Sequence, residues 1–319
     1  MTYVDIINRL ILALADAAPL TLVTLAIVLI FRTSFTTNFA QGVIATTGAY
    51  IVTIFYNRFL VLQFPNANII LLTIIAFLSG IIVAFFIGVF IDRLLIRKAK
   101  FSTALTKQMI TMGVVLFLMG LLPTLFFKAE LNMPTIPYFF KGVILIKLGT
   151  GNIIIQKNYI YSIILAATVI SVVFIMLKRT KWGLGVRSTA ANEKVADMMG
   201  VNTRFITAMS WGIASALGAL GAIIYASYGT TISVALMGEM QVNGFLASIL
   251  GGFSTFYGPV IGAVIIPIIN QVAYTIMPRL QIAGHNLGVY YKVAVYMIIL
   301  IIILIKPIGL FGKKIAKKV

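Results

Sequence analysis

The chain has 319 residues, 61% of them hydrophobic and only 10% charged, with a formal net charge of +18 and no cysteine. Soluble domains carry about 25% charged residues, so this composition excludes a water-soluble globular protein, and the lack of cysteine excludes disulfides and thiolate metal sites. The positive charge does not point to nucleic acid: of 25 Lys and Arg, five lie in 93–107, six in 178–204 and five in 306–318, beside long apolar runs. That is the positive-inside pattern, which makes these three stretches cytoplasmic and gives the excess charge a destination in anionic lipid headgroups. The expected fold is an all-α polytopic membrane protein, a single transmembrane domain over 1–319 with about eight spans.

In chain order, Ile6 to Phe31 is an apolar run long enough to cross once, with a bend at Pro19. No basic segment opens it, so no cleavable signal peptide is expected. Asp16 lies inside the run, either facing a wet cavity or partner or capping an interfacial helix start. Residues 32–50, RTSFTTNFAQGVIATTGAY, mix Thr, Asn, Gln and Gly into an apolar chain. Lipid cannot satisfy such side chains, so they face protein or water. Gly48 suits helix packing, while Asn38, Gln41, Gly42 and Thr46 or Thr47 are candidates to line a translocation path.

Residues 69–91 predict a span ending inside in IDRLLIRKAK, and Met109 to Phe127 predict the return. The segment 128–157 is then extracytoplasmic. In it, Gly142 to Leu148 and Ile153 to Lys157, joined by Gly-Thr-Gly-Asn, predict a small β-hairpin, either a docking feature for a receptor protein or a lid over the spans. Tyr159 to Leu177 leads into the basic stretch 178–204 and Phe205 to Tyr228 leads out, carrying Ala214, Gly218 and Ala222 as a small-residue stripe for close helix packing. Within 178–204, Ser188 or Thr189 is placed to cap a helix of about three turns, with Glu193 near its positive end and Gly200 closing it. Ala191, Val195 and Met198 or Met199 fall on one stripe of that helix, and Asn192, Lys194 and Asp197 on the other, so one side can pack while the other meets a partner.

From Ser233 to Thr275 two further apolar stretches flank SILGGFSTFYGPVIGAVI. Gly251, Gly252, Gly258 and Gly262, with Pro259, predict a helix interrupted near the middle of the membrane and a second set of path residues, Gly251, Gly252 and Gly258. The polar-doped segments 38–50 and 248–263 occupy comparable places in the two halves, the pattern of an inverted repeat with its path at the midplane. Glu239 precedes the second segment, as an outer interfacial residue or an ion site. The last span, Val289 to Ile305, runs into KPIGLFGKK and a basic tail. Counting back from an inside tail places the N-terminus outside.

Catalytic chemistry is not expected. GLFGKK lacks the spacing and the following Ser or Thr of a phosphate loop, His285 is the sole histidine, and no nucleophile has a base beside it. The chain therefore reads as a non-enzyme with neither metal nor cofactor of its own, and uphill transport would draw its energy from a partner or an ion gradient.

Five patches, in order, carry a resemblance to permease subunits of branched-chain amino-acid ABC importers (LivH-like). They are NFAQG…GAY in 38–50, IDRLLIRKAKFSTALTKQMITMG from 91 into 113, GVRSTAANEKVADMMG at 185–200, the LGG and later glycines in 249–263, and KPIGLFG at 306–312. The first patch departs from the family's NFAHGE: Gln41 and Val43 stand where His and Glu are usual. The resemblance implies a plasma-membrane permease working as a pair, identical or homologous. It also implies two cytoplasmic ATPases that use ATP, and an extracytoplasmic substrate-binding protein. It makes 178–204 a cytoplasmic coupling loop, with Arg187, Ala191, Asn192, Glu193, Val195, Ala196, Met198 and Gly200 at the ATPase contact. The solute would be an amino acid. A sugar or nucleoside permease of the same fold is the alternative for substrate, and an ion-coupled secondary transporter using Asp16 or Glu239 the alternative for mechanism.

Overall fold

The axis of the molecule is α1 (Tyr3–Ser34), a 32-residue helix buried without interruption from Ala17 to Ile30. A helix apolar on every face is stable only where other helices surround it, and α1 is enclosed by the helices from the second half of the chain. The computed structural model describes residues 3–99, 103–128, 136–137, 142–148, 151–229, 231–282 and 285–312.

After α1, α2 (Gln41–Ile54) continues through a π-helical turn into α3 (Val61–Gln63), so 41–63 is one more span, hidden in the sequence behind its Thr and Gly content. Asn68 caps α4 (Ile69–Phe90) by accepting the Ile70 N–H at 2.9 Å, and α4 ends in a π-helical turn, Ile91–Ile96. Next is α5 (Ala104–Lys128) and, beyond it, the hairpin of β1 (Val143–Leu148) and β2 (Gly151–Gln156), antiparallel from Val143↔Gln156 to Leu148↔Gly151. The second strand begins two residues earlier than expected, at Gly151; the turn residues Gly149 and Thr150 lie outside the described residues, as do loop residues 100–102 and the tail 313–319. Then come α6 (Lys157–Arg179), α7 (Lys181–Ala191), α8 (Glu193–Met198), α9 (Thr203–Ala226), α10 (Gly238–Gly251) and α11 (Tyr257–Ile276). A short ladder of β3 (Gln281–Ile282) and β4 (His285–Asn286) precedes α12 (Tyr291–Ile305).

Among the described residues, eight helical segments are long and apolar enough to cross a bilayer, as expected of a helical polytopic membrane protein. Contacts between loops fix their sense. Lys107 Nζ donates to the Ser34 carbonyl at 3.2 Å, so α1 ends on the basic side, the one expected to be inner by the positive-inside pattern; Asn8 bonds the backbone of Asn152 and Ile154, so α1 starts beside the hairpin, on the side expected to be outer. Eight crossings alone would return the chain to the side it began on. The remaining passage is α10, whose 14 residues span only about 21 Å at about 1.5 Å per residue, short of a hydrocarbon core of about 30 Å. It therefore runs from partway into the membrane to the inner face.

The centre is packed through small residues. Gly48 of α2 faces Gly80 of α4 and Ala219 of α9, and Trp211, fully buried, donates its indole N–H to Ser34 Oγ at 2.8 Å, tying α9 to the end of α1. The expected stripe on α9 is buried as well, and Gly218 leaves the space through which Gln41 passes. By contrast α5 and α12 turn rows of large apolar side chains outward, Leu116 and Phe117 on one and Leu304 and Ile305 on the other, as lipid-facing helices do.

Candidate functional site

The inner face carries the first group of expected residues. One helix from Ser188 or Thr189 to Met199 is not what forms. Thr180 caps α7, its Oγ1 accepting the Gly183 N–H at 3.0 Å; the chain then breaks at Asn192, which is extended and caps α8 by accepting the Val195 N–H at 3.2 Å. Asn is a stronger cap than an interior Ser or Thr that can bond back to its own helix, as Ser188 does to the Leu184 carbonyl. Gly200 closes α8 at φ +83°, as its sequence position implied. Because of the break, Ala191 lies on α7 while Val195 and Met198 lie on α8. All three are exposed, with Met198 and Met199 at 77% and 80%, and Ala196 is the side chain turned inward. Arg187 points back, donating to the Leu177 and Lys178 carbonyls at the end of α6. Glu193 faces a cavity of about 380 Å³ shared with Asp92, Arg97 and Lys107. There Arg97 pairs with buried Asp92 at 2.8 Å and donates to the Arg204 carbonyl at 2.7 Å, joining the inner ends of α4 and α9.

The second group starts α2. Gln41 is fully buried and donates from Nε2 to the Ala214 carbonyl at 2.9 Å, which sets the start of α2 level with the middle of α9. Asn38 donates to Gln41 Oε1 at 3.2 Å and accepts the Ala40 N–H at 3.0 Å, while Thr46 bonds its own helix at the Gly42 carbonyl. Gln241 of α10 completes the knot, accepting the Gly42 N–H and donating to the Phe39 carbonyl at 2.8 Å. Two helix starts therefore meet inside the membrane with their polar groups answered by protein.

Gly251, Gly252 and Gly258 are elsewhere. They sit at the inner ends of α10 and α11, not at mid-membrane, because α10 has already descended from its start at Gly238. Leu310 N–H donates to the Leu250 carbonyl at 2.7 Å and Phe311 N–H to the Gly251 carbonyl at 3.2 Å. The KPIGLFG segment thus caps α10. Gly252 and Gly309 approach backbone to backbone at φ +93° and +87°, where a side chain would be both strained and in collision.

A cavity of about 240 Å³ opens on the outer side between α1, α10, α11 and α12. It holds both carboxylates singled out earlier. Asp16 is well inside α1, so it caps no helix start, and Glu239 pairs with Lys292 at 2.8 Å. Arg9 stacks on the Tyr274 ring, its guanidinium carbon 4.7 Å from the centroid. Between Arg9 and Asp16 lies Gln271, 3.5 Å from each. Asn243, only 7% exposed, lines the wall, and its buried Oδ1 has no hydrogen-bond partner among the described residues. Arg9, Asn243, Gln271 and Lys292 were missed in the sequence. The signal was there in Arg9 and Asp16, seven residues apart and so on one face of α1, and in the Asn270-Gln271 pair within an apolar helix.

A family model described as "Branched-chain amino acid transport system / permease component" matches residues 9–304. Among curated relatives, the high-affinity branched-chain amino acid transport system permease protein BraD of Pseudomonas aeruginosa is 22% identical over 88% of this chain and 88% of its own. The corresponding LivH protein of Escherichia coli is 21% identical over 88% and 87%.

Proposed function

The chain belongs to the family of permease components of branched-chain amino acid transport systems, and from that premise we propose that it is the membrane subunit of an ATP-driven importer in the cell membrane. A small amino acid, of the branched-chain type named for its relatives, is delivered by an extracytoplasmic binding protein and crosses a pair of such chains. Cytoplasmic ATPases grip α8. The observation that supports this reading is the short capped helix itself: Val195, Met198 and Met199 stand exposed together on the basic inner face, an apolar patch that a protein groove can cover. Movement of α8 has two routes inward, through α7, whose Arg187 holds the end of α6, and through α9, where Thr203 donates to Asp197 of α8 at 3.4 Å. Alternating access follows when those helices tilt together.

Burying a Val or Met side chain contributes roughly 1.5–3 kcal/mol, and a charge placed in an apolar groove costs more than that. Val195→Asp or Met198→Asp is therefore expected to leave the permease inserted while abolishing co-purification of the ATPase and ATP-dependent uptake. Glu193→Ala is expected to have a milder effect, since a partly exposed charge contributes less than about 1 kcal/mol. Retention of both ATPase binding and uptake by Val195→Asp, or uptake driven by an ion gradient without any ATPase, would overturn the reading.

A further inference from the structure

We propose that the outer cavity is a binding site in the permease itself for a zwitterionic α-amino acid, whose ammonium group is received by Asp16 and whose carboxylate is received by Arg9. The proposal rests on the amino-acid reading above for its class of ligand and on the geometry of the cavity for its place.

The two pairs of charges in the cavity differ. The exposed Glu239 and Lys292 neutralise one another at 2.8 Å. The less exposed Arg9 and Asp16 are joined only indirectly. A single carboxamide stands between them, its oxygen 3.5 Å from the Arg9 Nη1 and its nitrogen 3.5 Å from the Asp16 Oδ2. A zwitterion offers the same two functions in the same order, oxygen acceptors to the guanidinium and N–H donors to the carboxylate. Both contacts of Gln271 are at the long limit of a hydrogen bond, so its amide exchanges readily for a ligand that makes shorter, charge-assisted ones.

Asn243 adds a polar group to the same wall. The remaining wall is formed by Leu20, Met240 and Pro267, apolar surface for an aliphatic side chain. The volume of about 240 Å³ lies just below the range of about 300–1,000 Å³ usual for drug-sized ligands, and suits one small solute.

The test uses the complex purified through a tag on this chain with its ATPase, in lipid nanodiscs and without any binding protein. Equilibrium binding of radiolabelled leucine is read directly, with 4-methylpentanoate, which lacks the amine, and leucinamide, which lacks the carboxylate, as competitors. Saturable binding that neither analogue displaces is expected for wild type. Asp16→Asn and Arg9→Gln should each weaken it at least tenfold, and Asp16→Asn should let 4-methylpentanoate compete relatively better, a change of selectivity that a merely structural role would not produce. Co-purification of the ATPase establishes that a variant is assembled, and either variant suffices. No saturable leucine binding by wild type, or unchanged affinity and selectivity in an assembled variant, would overturn the site. ATP-dependent uptake with binding protein, measured on the same preparation, reports on the importer reading separately.

Discussion

At the scale of single residues, Gln41 shows how a polar side chain is retained inside a membrane. Its amide spends both ends on protein, one on the Ala214 carbonyl and one on Asn38, and Gly218 has no side chain where the amide passes. A path-lining role for Asn38, Gln41, Gly42 and Thr46 stays a proposal for conformations in which this knot opens. The closed knot makes a sharper prediction. Gln41→Leu leaves the buried Asn38 amide without its acceptor, a loss of about 1–3 kcal/mol, so the melting temperature in detergent should fall. Replacement by Glu should lower it further, because a carboxylate at that depth cannot donate to Ala214 and carries an unpaired charge. Equal melting of wild type and Gln41→Leu would show that the knot does not hold the helix starts together.

At the scale of elements, what could be read from the sequence depended on whether the partner was local. Spans followed from apolar length, their sense from Lys and Arg, and the hairpin from two β-rich runs around a glycine turn. The break inside 178–204 was also local, yet Asn192 was read as a face residue and not as a cap, because Ser188 and Thr189 offered the same chemistry four and three residues earlier. Gly251, Gly252 and Gly258 were expected to mark a helix interrupted near mid-membrane; instead Gly251 and Gly258 pack against each other at the inner ends of α10 and α11, while Gly252 meets Ile308, Gly309 and Gly312, far along the chain. That contact makes its own prediction. Gly309→Val puts a β-branched residue at φ +87° against Gly252, so α10 should lose its cap, protease sensitivity near Phe253 should rise, and assembly with the ATPase should fall. A variant as resistant as wild type would mean that the tail merely rests on α10.

At the scale of the whole molecule, α10 decides the topology. Without it a chain that begins outside could not finish inside. Single cysteines at Leu145 on the hairpin and at Val289 before α12, both exposed, should react with an impermeant thiol reagent applied to intact cells, while one at Lys194 should react only after the membrane is opened. Labelling at position 194 from outside would invert the arrangement and remove α8 from the ATPase side. The outer cavity was the part least legible in sequence, because its lining is spread over five helices, one to four residues from each, and no stretch of chain contains enough of it to form a motif.

The cap that Leu310 and Phe311 place on α10 also bears on the order in which the protein can be made. Leu250 leaves the ribosome 60 residues before the amide that satisfies its carbonyl. During that interval α11 and α12 must be threaded into the bilayer while the end of α10 waits without its cap at the inner face, held meanwhile by Arg32 of α1, which donates to the Ser254 carbonyl. The final locking of the second half is therefore a late event of biogenesis, and a chain that stalls or is cut before 308 presents an unfinished helix end where membrane proteases can find it.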